Sequence, residues 1–200
     1  MDAKTQKSEL TRAAIVGAAL DLALAQGLES ISLQAVADRI GLSKSGVFSR
    51  VGSREALQKA VIEEYGRRFL ADVFVPAMQK PKGLPRLDDI VQRWIVRMRD
   101  VEVHSGCLYT AGAFELDDRE GELRDTLHTE VMRWRAALRR TVTQAVEAGH
   151  LKADTDAEQL VGEINSLAIG LLHDARFLRD TRAAERTAAT WQRLLHSYRA

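Results

Sequence analysis

The stretch "IGLSKSGVFSRVGSREAL", Ile40 to Leu57, carries Lys44, Arg50 and Arg54 and no acidic side chain before Glu55. The residues around it explain the arrangement. Upstream, "LQAVADRI" is a short helical pattern with Ser32 in the N-cap position, where a side-chain oxygen can accept an orphan backbone N–H. Gly41 follows it, and glycine tolerates the positive φ that a helix end needs. Ser43 then caps a second short helix that starts at Lys44. Two short helices joined by a glycine turn outline a helix-turn-helix. Their close crossing needs a small residue, which Ala37 supplies. Val36, Ile40, Leu42 and Val47 supply the apolar support.

On this geometry the segment from Lys44 to about Arg50 is a recognition helix, able to enter a DNA major groove while neighbouring groups hold phosphates. Val47 faces inward. Ser43, Lys44, Ser45, Gly46, Phe48, Ser49 and Arg50 form the candidate DNA-contacting surface, joined by Ser32 and Gln34 from the preceding helix and by Arg54. Gly46 suits close approach, and Phe48 suits contact with sugar or a thymine methyl. Arg54 falls in the first turn of the next helix, where a cation opposes the helix dipole, so an external phosphate is the reason the sequence offers for it. The plain alternative is a solvated helix face.

The flanking chain is helical throughout. One helix opens near Ser8 or Glu9, with Leu10, Ala14, Ala18 and Leu22 at helical spacing and Ile15, Ala19 and Leu20 widening the stripe, and it ends at Gly27. After Gly52, Ser53 caps a long helix in which Leu57, Val61, Tyr65 and Phe69 share a face. All three prolines, Pro76, Pro81 and Pro85, lie in "PAMQKPKGLPRLDD", where proline's missing N–H ends the long helix and marks a domain boundary. Beyond it, helical stripes run through Leu87, Val91, Trp94 and Met98; through Leu123 to Ala145; through Leu160, Ile164, Leu167, Leu171 and Leu178; and through Ala184 to Tyr198. Gly106 to Leu116 is ambiguous. No β-alternation or internal repeat occurs, so the expected fold is all-α.

Composition bounds the function. With 46% hydrophobic and 28% charged residues, the 200-residue chain is globular rather than disordered. A formal net charge of +1 excludes a whole-protein polyanion binder but leaves room for a local basic patch. One cysteine permits no intrachain disulfide. No run of about 18 apolar residues is present to cross a membrane, and "MDAKTQKSEL" lacks a signal peptide's apolar core, so a cytoplasmic location is expected. His104, His128, His150, His173 and His196 are scattered without zinc-ligand spacing, and no cofactor or metal is expected.

Residues 8 to about 68 resemble the DNA-binding domain of the tetracycline-repressor (TetR) family of bacterial regulators. The likeness rests on "AALDLALAQGLESISLQAVADRIGLSKSGVFSRVGSREAL". It implies a three-helix DNA-binding domain over 8–68, a linking fourth helix, and a larger helical ligand-binding and dimerisation domain over 85–200. The sequence departs from the family at four positions. Phe48 stands where Tyr is usual, Val51 where a bulky aromatic is usual, Arg50 where an aromatic or His is frequent, and Arg54 where Lys is common. "GCLYTAGAFELDDREGELRD", Gly106 to Asp125, resembles a segment of one branch of the same family.

For the second domain, Trp94, Tyr109, Phe114, Trp134, His173 and Phe177 are the candidate ligand-binding residues, around a mainly apolar pocket. Cys107 reads as a small buried hydrophobe. Glu115, Asp117 and Asp118 read as a loop that caps the helix beginning near Glu122. Two apolar lines on the penultimate helix, with small residues beside them, make Val161, Ala168, Leu172, Ala175, Trp191 and Tyr198 candidates for a homodimer interface. The sequence therefore points to a homodimeric repressor, released from a pseudo-palindromic double-stranded DNA operator by a small, largely apolar effector. The competing classes are a sequence-indifferent DNA organiser without a ligand, against which the near-neutral charge speaks, and a small helical enzyme. For the enzyme no Ser/His/Asp or Cys/His arrangement is visible.

Overall fold

The computed structural model describes residues 3–200, which form two compact units. The first comprises the chain up to Arg68 together with Cys107–Glu130. The second comprises Phe69–Gly106 and Val131–Ala200. The described residues are helical and contain no strand, only an isolated bridge between Leu151 and Arg199.

In the first unit, α1 (Ala3–Gln26) starts five residues before the expected Ser8, because Ala3 to Lys7 contains no helix breaker. Of the expected stripe, Ala18 and the widening residues Ile15, Ala19 and Leu20 are buried, while its first two members are not. Leu10 is 67% exposed and Ala14 is exposed, whereas Ile15, Ala19 and Ala23 are buried. Apolar residues surround this helix, and packing against α2 and α3 selects one line among several. A 3-10 turn, Leu28–Ser30, leads to α2 (Leu33–Ile40), whose N-cap Ser32 accepts the Ala35 N–H at 3.0 Å. Gly41 adopts the left-handed conformation at φ 68° and its N–H returns to Ala37 O. The next helix, α3 (Lys44–Val51), is capped by Ser43 through the Gly46 N–H at 3.0 Å. Ala37 and Val47 are fully buried at the crossing. The expected helix-turn-helix is present, cap by cap.

Helix α4 (Arg54–Phe69) buries Leu57, Val61, Tyr65 and Phe69 along one face, as the periodicity predicts. It runs through a π-helical stretch, Leu70–Phe74, into Val75–Ala77, and stops in the proline-bearing segment. Helix α5 (Leu84–Arg97) likewise continues through a π-helical stretch, Met98–Glu102, to Val103–Ser105. The ambiguous segment resolves as α6 (Leu108–Leu116), followed by α7 (Glu122–Glu147). Helix α6 packs in the first unit: Gly112 leaves no room for a side chain against Leu28 and Leu127, which lie 3.1 and 3.0 Å from where a Cβ would sit.

The second unit adds α8 (Ala157–Leu172), capped by Asp156 through the N–H groups of Glu158 and Gln159. The α-helix was expected to reach Leu178; it changes to a π-helical stretch at His173–Phe177, and Leu178 is exposed. Helix α9 (Ala183–Tyr198) closes the chain. The core of this unit contains Leu87, Ile90, Trp94 and Met98 of α5 and its extension, Trp134, Leu138 and Val142 of α7, Leu160, Ile164 and Leu171 of α8, and Trp191 and Leu195 of α9.

Candidate nucleic-acid interface and ligand site

Val47 is the one buried residue of α3. Lys44, Ser45, Phe48, Ser49 and Arg50 are exposed and Gly46 is half-buried, so the helix turns one residue in and its polar and basic side out. Local bonds order part of this surface. Ser43 and Ser45 hydroxyls lie 3.1 Å apart, and Ser49 Oγ donates to Gly46 O at 2.9 Å. A Cβ at Gly46 would stand 3.1 Å from the capping Ser43 Oγ, so the glycine also keeps the cap clear. Phe48 is 57% exposed, an apolar ring held in water on the outer face of α3. On α2, Gln34 is exposed and donates to Asp38 Oδ1 at 2.7 Å.

Arg54 has partners within the chain as well. The sequence offered an external phosphate as its reason, but its guanidinium has internal work. Nε donates to Ile31 O at 2.7 Å, and Nη2 donates to Glu29 O at 2.7 Å and lies 3.3 Å from Glu29 Oε2. It ties the start of α4 to the turn that precedes α2. Gln58 holds the same turn, its buried Nε2 donating to Leu28 O at 2.9 Å.

The carboxylate of Glu115, at the end of α6, grips this turn from the other side. Its two oxygens accept the Leu28 N–H at 2.8 Å and the Glu29 N–H at 2.7 Å. This replaces the expected role of Glu115 in capping α7, which the linear sequence suggested because the partner lies 86 residues away. Gly27, at φ 90°, is required here, since a Cβ would sit 2.8 Å from Glu115 Oε2. Arg119 pairs with Glu29 at 3.4 Å, and Lys59 pairs with Glu122. The helix-turn-helix thus rests on a turn whose backbone groups are held by side chains of α4 and α6.

Of the six candidate ligand residues, four belong to the second unit and two to the first. Trp94 and Trp134 meet in the second unit with ring centroids 5.3 Å apart and perpendicular planes. Two residues that the sequence reading missed complete the group: Phe69 lies 5.8 Å from Trp94 and 4.8 Å from Trp134, and Phe74 lies 6.3 Å from Trp134. Phe69 lies on the core stripe that the periodicity of α4 predicts, and nothing in its local pattern distinguishes the two roles. Tyr109 and Phe114 belong to the first unit. Tyr109 packs edge-on to Tyr65 at 4.9 Å and covers Gly66, while Phe114 is exposed. His173 and Phe177 face solvent as a pair 5.5 Å apart, with His173 Nδ1 3.1 Å from Asp174. Cys107 is buried, as expected, and its sulfur accepts the Tyr65 hydroxyl at 3.2 Å.

A groove of about 420 Å³ lies between α1 and α4 in the first unit, lined by Arg12, Arg67, Glu9, Glu63 and Glu64 with Ala13, Val16 and Ala60. Charges of both signs line it. The Glu64 carboxyl is held down to about 2, first by its bond to Arg67 and further by Arg68.

Most candidate dimer residues belong to the chain's own core. Val161, Ala168, Leu172 and Trp191 are buried, and Trp191 Nε1 donates to Asp88 at 2.7 Å. Tyr198 donates to Glu163 Oε2 at 2.9 Å, and burial with that carboxylate pushes its hydroxyl up to about 12. Ala175 is half-buried. The apolar side chains left outside on α8 and its extension are Ile169, Phe177 and Leu178. Internal packing takes up both apolar lines of α8, Leu160, Ile164 and Leu171 on one and Val161, Ala168 and Leu172 on the other. Among the described residues, no helix is long and apolar enough to cross a membrane.

Residues 83–191 match the family model for the tetracycline repressor-like C-terminal domain. No curated protein matches the sequence. Similar solved structures include a TetR-family transcriptional regulator from Cytophaga hutchinsonii, 18% identical over 97% of this chain and 97% of that one, with a TM-score of 0.82. A TetR transcriptional regulator from Chloroflexus aurantiacus is 22% identical over 92% and 93%, with a TM-score of 0.79. AibR, solved with isovaleryl coenzyme A and operator DNA, is 18% identical over 90% and 95%, with a TM-score of 0.69. These likenesses carry the fold, and the family model, spanning more than half of the chain, carries the membership: the chain belongs to the tetracycline repressor-like family of DNA-binding transcriptional regulators.

Proposed function

We propose that the protein is a cytoplasmic homodimeric repressor that reads a pseudo-palindromic operator with two copies of α3 and leaves it when a small molecule binds within residues 85–200. The observation that carries the DNA-reading half is the exposed face of α3, with Lys44 and Arg50 for phosphates or base edges, Phe48 for an apolar base contact, and Val47 alone turned inward. Residues 8–68 form the reading domain. Two copies would address half-sites about 34–36 Å apart. Ile169, Phe177 and Leu178, with Gly170 between them, are the dimer surface that internal packing leaves available. AibR's bound acyl thioester and operator support a ligand-responsive reading for this chain as well. Linkage requires that operator DNA weaken effector binding by the factor with which effector weakens operator binding.

The test is selection of bound duplexes from a fragmented-genome library at near-physiological salt, followed by sequencing. An enriched inverted repeat is expected. Retention without a motif would replace this reading with that of an architectural binder.

A further inference from the structure

Two indole N–H groups in the second unit are buried without a protein acceptor. Trp94 is 7% exposed and Trp134 3%, and neither Nε1 reaches a hydrogen-bond partner. The third tryptophan sets the standard for this fold: Trp191, fully buried, donates to Asp88 Oδ1 at 2.7 Å. A buried donor left unbonded forfeits the bond that it made with water in the unfolded chain. One such donor is unusual, and two on touching rings are a feature to be explained.

Both donors sit in one aromatic group with Phe69 and Phe74. Phe74 is half-buried, so the group reaches the surface of the unit. It is also flanked by irregular backbone: Phe74 lies in the π-helical stretch that extends α4, and Trp94 lies one turn before the stretch that extends α5. Such interruptions of the helical ladder recur at functional sites.

The charge beside the group limits what it can take. The Arg97 guanidinium stands 5.6 Å from the Phe69 ring centroid, but it is already paired with Asp72 and, at 3.0 Å, with the buried Glu102. An incoming carboxylate or phosphate would meet two carboxylates around one cation and would pay its full desolvation. A neutral acceptor would not.

We propose that Trp94, Trp134, Phe69 and Phe74 receive a neutral, largely apolar molecule bearing a carbonyl-type oxygen, which accepts the two indole N–H groups. This ligand class rests on the reading of the second unit as the effector-sensing part of the regulator. Aromatic walls supply the apolar contact, and the paired donors supply orientation.

Each tryptophan in turn is replaced, in the full chain, by benzothienylalanine, which keeps the ring shape and exchanges N–H for sulfur. At positions 94 and 134 the free protein should melt at or above the wild-type temperature, while at 191, where the bond to Asp88 is lost, it should melt lower. Equal destabilisation at all three positions means that the ring faces already satisfy the indoles, and it overturns the proposal. The same preparations are then titrated with 2-acetylnaphthalene, 2-ethylnaphthalene and 2-naphthoate, with the ¹⁵N-labelled indole resonances as the readout. The ketone should bind about tenfold more tightly than the other two, the equivalent of one neutral hydrogen bond. It should move the Trp94 and Trp134 resonances and leave that of Trp191 in place. The preference should weaken with benzothienylalanine at 94 or at 134 and vanish with it at both. Equal affinities, tighter binding of naphthoate, or binding of none of the three overturns the ligand class. The operator selection uses no probe, so a missing motif sinks the regulator reading separately from this one.

Discussion

Lys44, Arg50 and Arg54 look equivalent as basic residues of one stretch, but their surroundings give them different work. Lys44 and Arg50 project from α3, whereas Arg54 binds the carbonyls of Glu29 and Ile31. Lys44→Ala and Arg50→Ala should weaken operator binding with helicity and melting temperature unchanged, each lowering the slope of log affinity against log salt by about 1. Arg54→Ala should cost about 1–2 kcal/mol of folding stability, because two carbonyls lose a charged donor; denaturant unfolding separates it from the other two. A variant at 54 that loses DNA binding at full stability would show that the phosphate role outweighs the internal one. Glu64 carries a pH dependence of its own. Its carboxyl titrates at about 2 in the folded chain against 4.5 as the ordinary value. A depressed carboxyl stabilises the fold above its unfolded pKa, and that contribution fades as the pH falls from about 4.5 towards 2. Glu64→Gln should therefore lower stability at neutral pH and flatten the acid limb of the melting curve. An unchanged acid limb would mean that the ion pair adds nothing to folding.

At the scale of elements, the turn between α1 and α2 is the junction on which the reading head depends. Its N–H groups go to Glu115 of α6, and its carbonyls go to Arg54 and Gln58 of α4. The turn is too short to satisfy these groups from within, which is why the partners are distant in sequence. Glu115→Ala should destabilise the first unit by about 1.5–3 kcal/mol, two charge-assisted bonds being lost. Hydrogen exchange should rise first at Leu28 and Glu29. Gly27→Ala would meet both a positive φ and the Glu115 carboxylate, and should cost about 1–2 kcal/mol. The double variant with Glu115→Ala should recover part of this loss, because the clash disappears while the backbone strain stays. Strict additivity would show that the Gly27–Glu115 contact carries no energy.

For the whole molecule, the chain's own core claims both apolar lines of α8 together with Trp191 and Leu195 of α9, and leaves Ile169, Phe177 and Leu178 outside. If this is the face on which two copies meet, the protein should sediment at twice the 22.2 kDa chain mass, and Ile169→Glu should yield a folded monomer. That monomer should lose its preference for an inverted repeat over a single half-site. A dimer that survives Ile169→Glu and Phe177→Glu together would place the interface elsewhere.

Local chemistry made much of the protein legible from its sequence. Serine caps at Ser32, Ser43 and Ser53, glycine stops at Gly27, Gly41 and Gly52, the small crossing residue Ala37 and the 3.6-residue stripe of α4 are short-range signals, and each turned up where the sequence put it. The reading face of α3 follows from the same signals. What failed to show was whatever depends on partners far along the chain. Helix α1 is apolar on several sides, so the sequence marked Ile15 and Ala19 together with Leu10 and Ala14, and only packing could bury the first pair and expose the second. Glu115 looked like a local cap because its true partners, Leu28 and Glu29, are more than eighty residues away. The aromatic residues of the second half looked alike in sequence, and only the tertiary structure gathered Trp94 and Trp134 with Phe69 and Phe74 while leaving Phe114 and Phe177 in solvent. Periodicity records that a helix has an apolar face. Which side chains meet across helices is decided by the competition of all faces for one core.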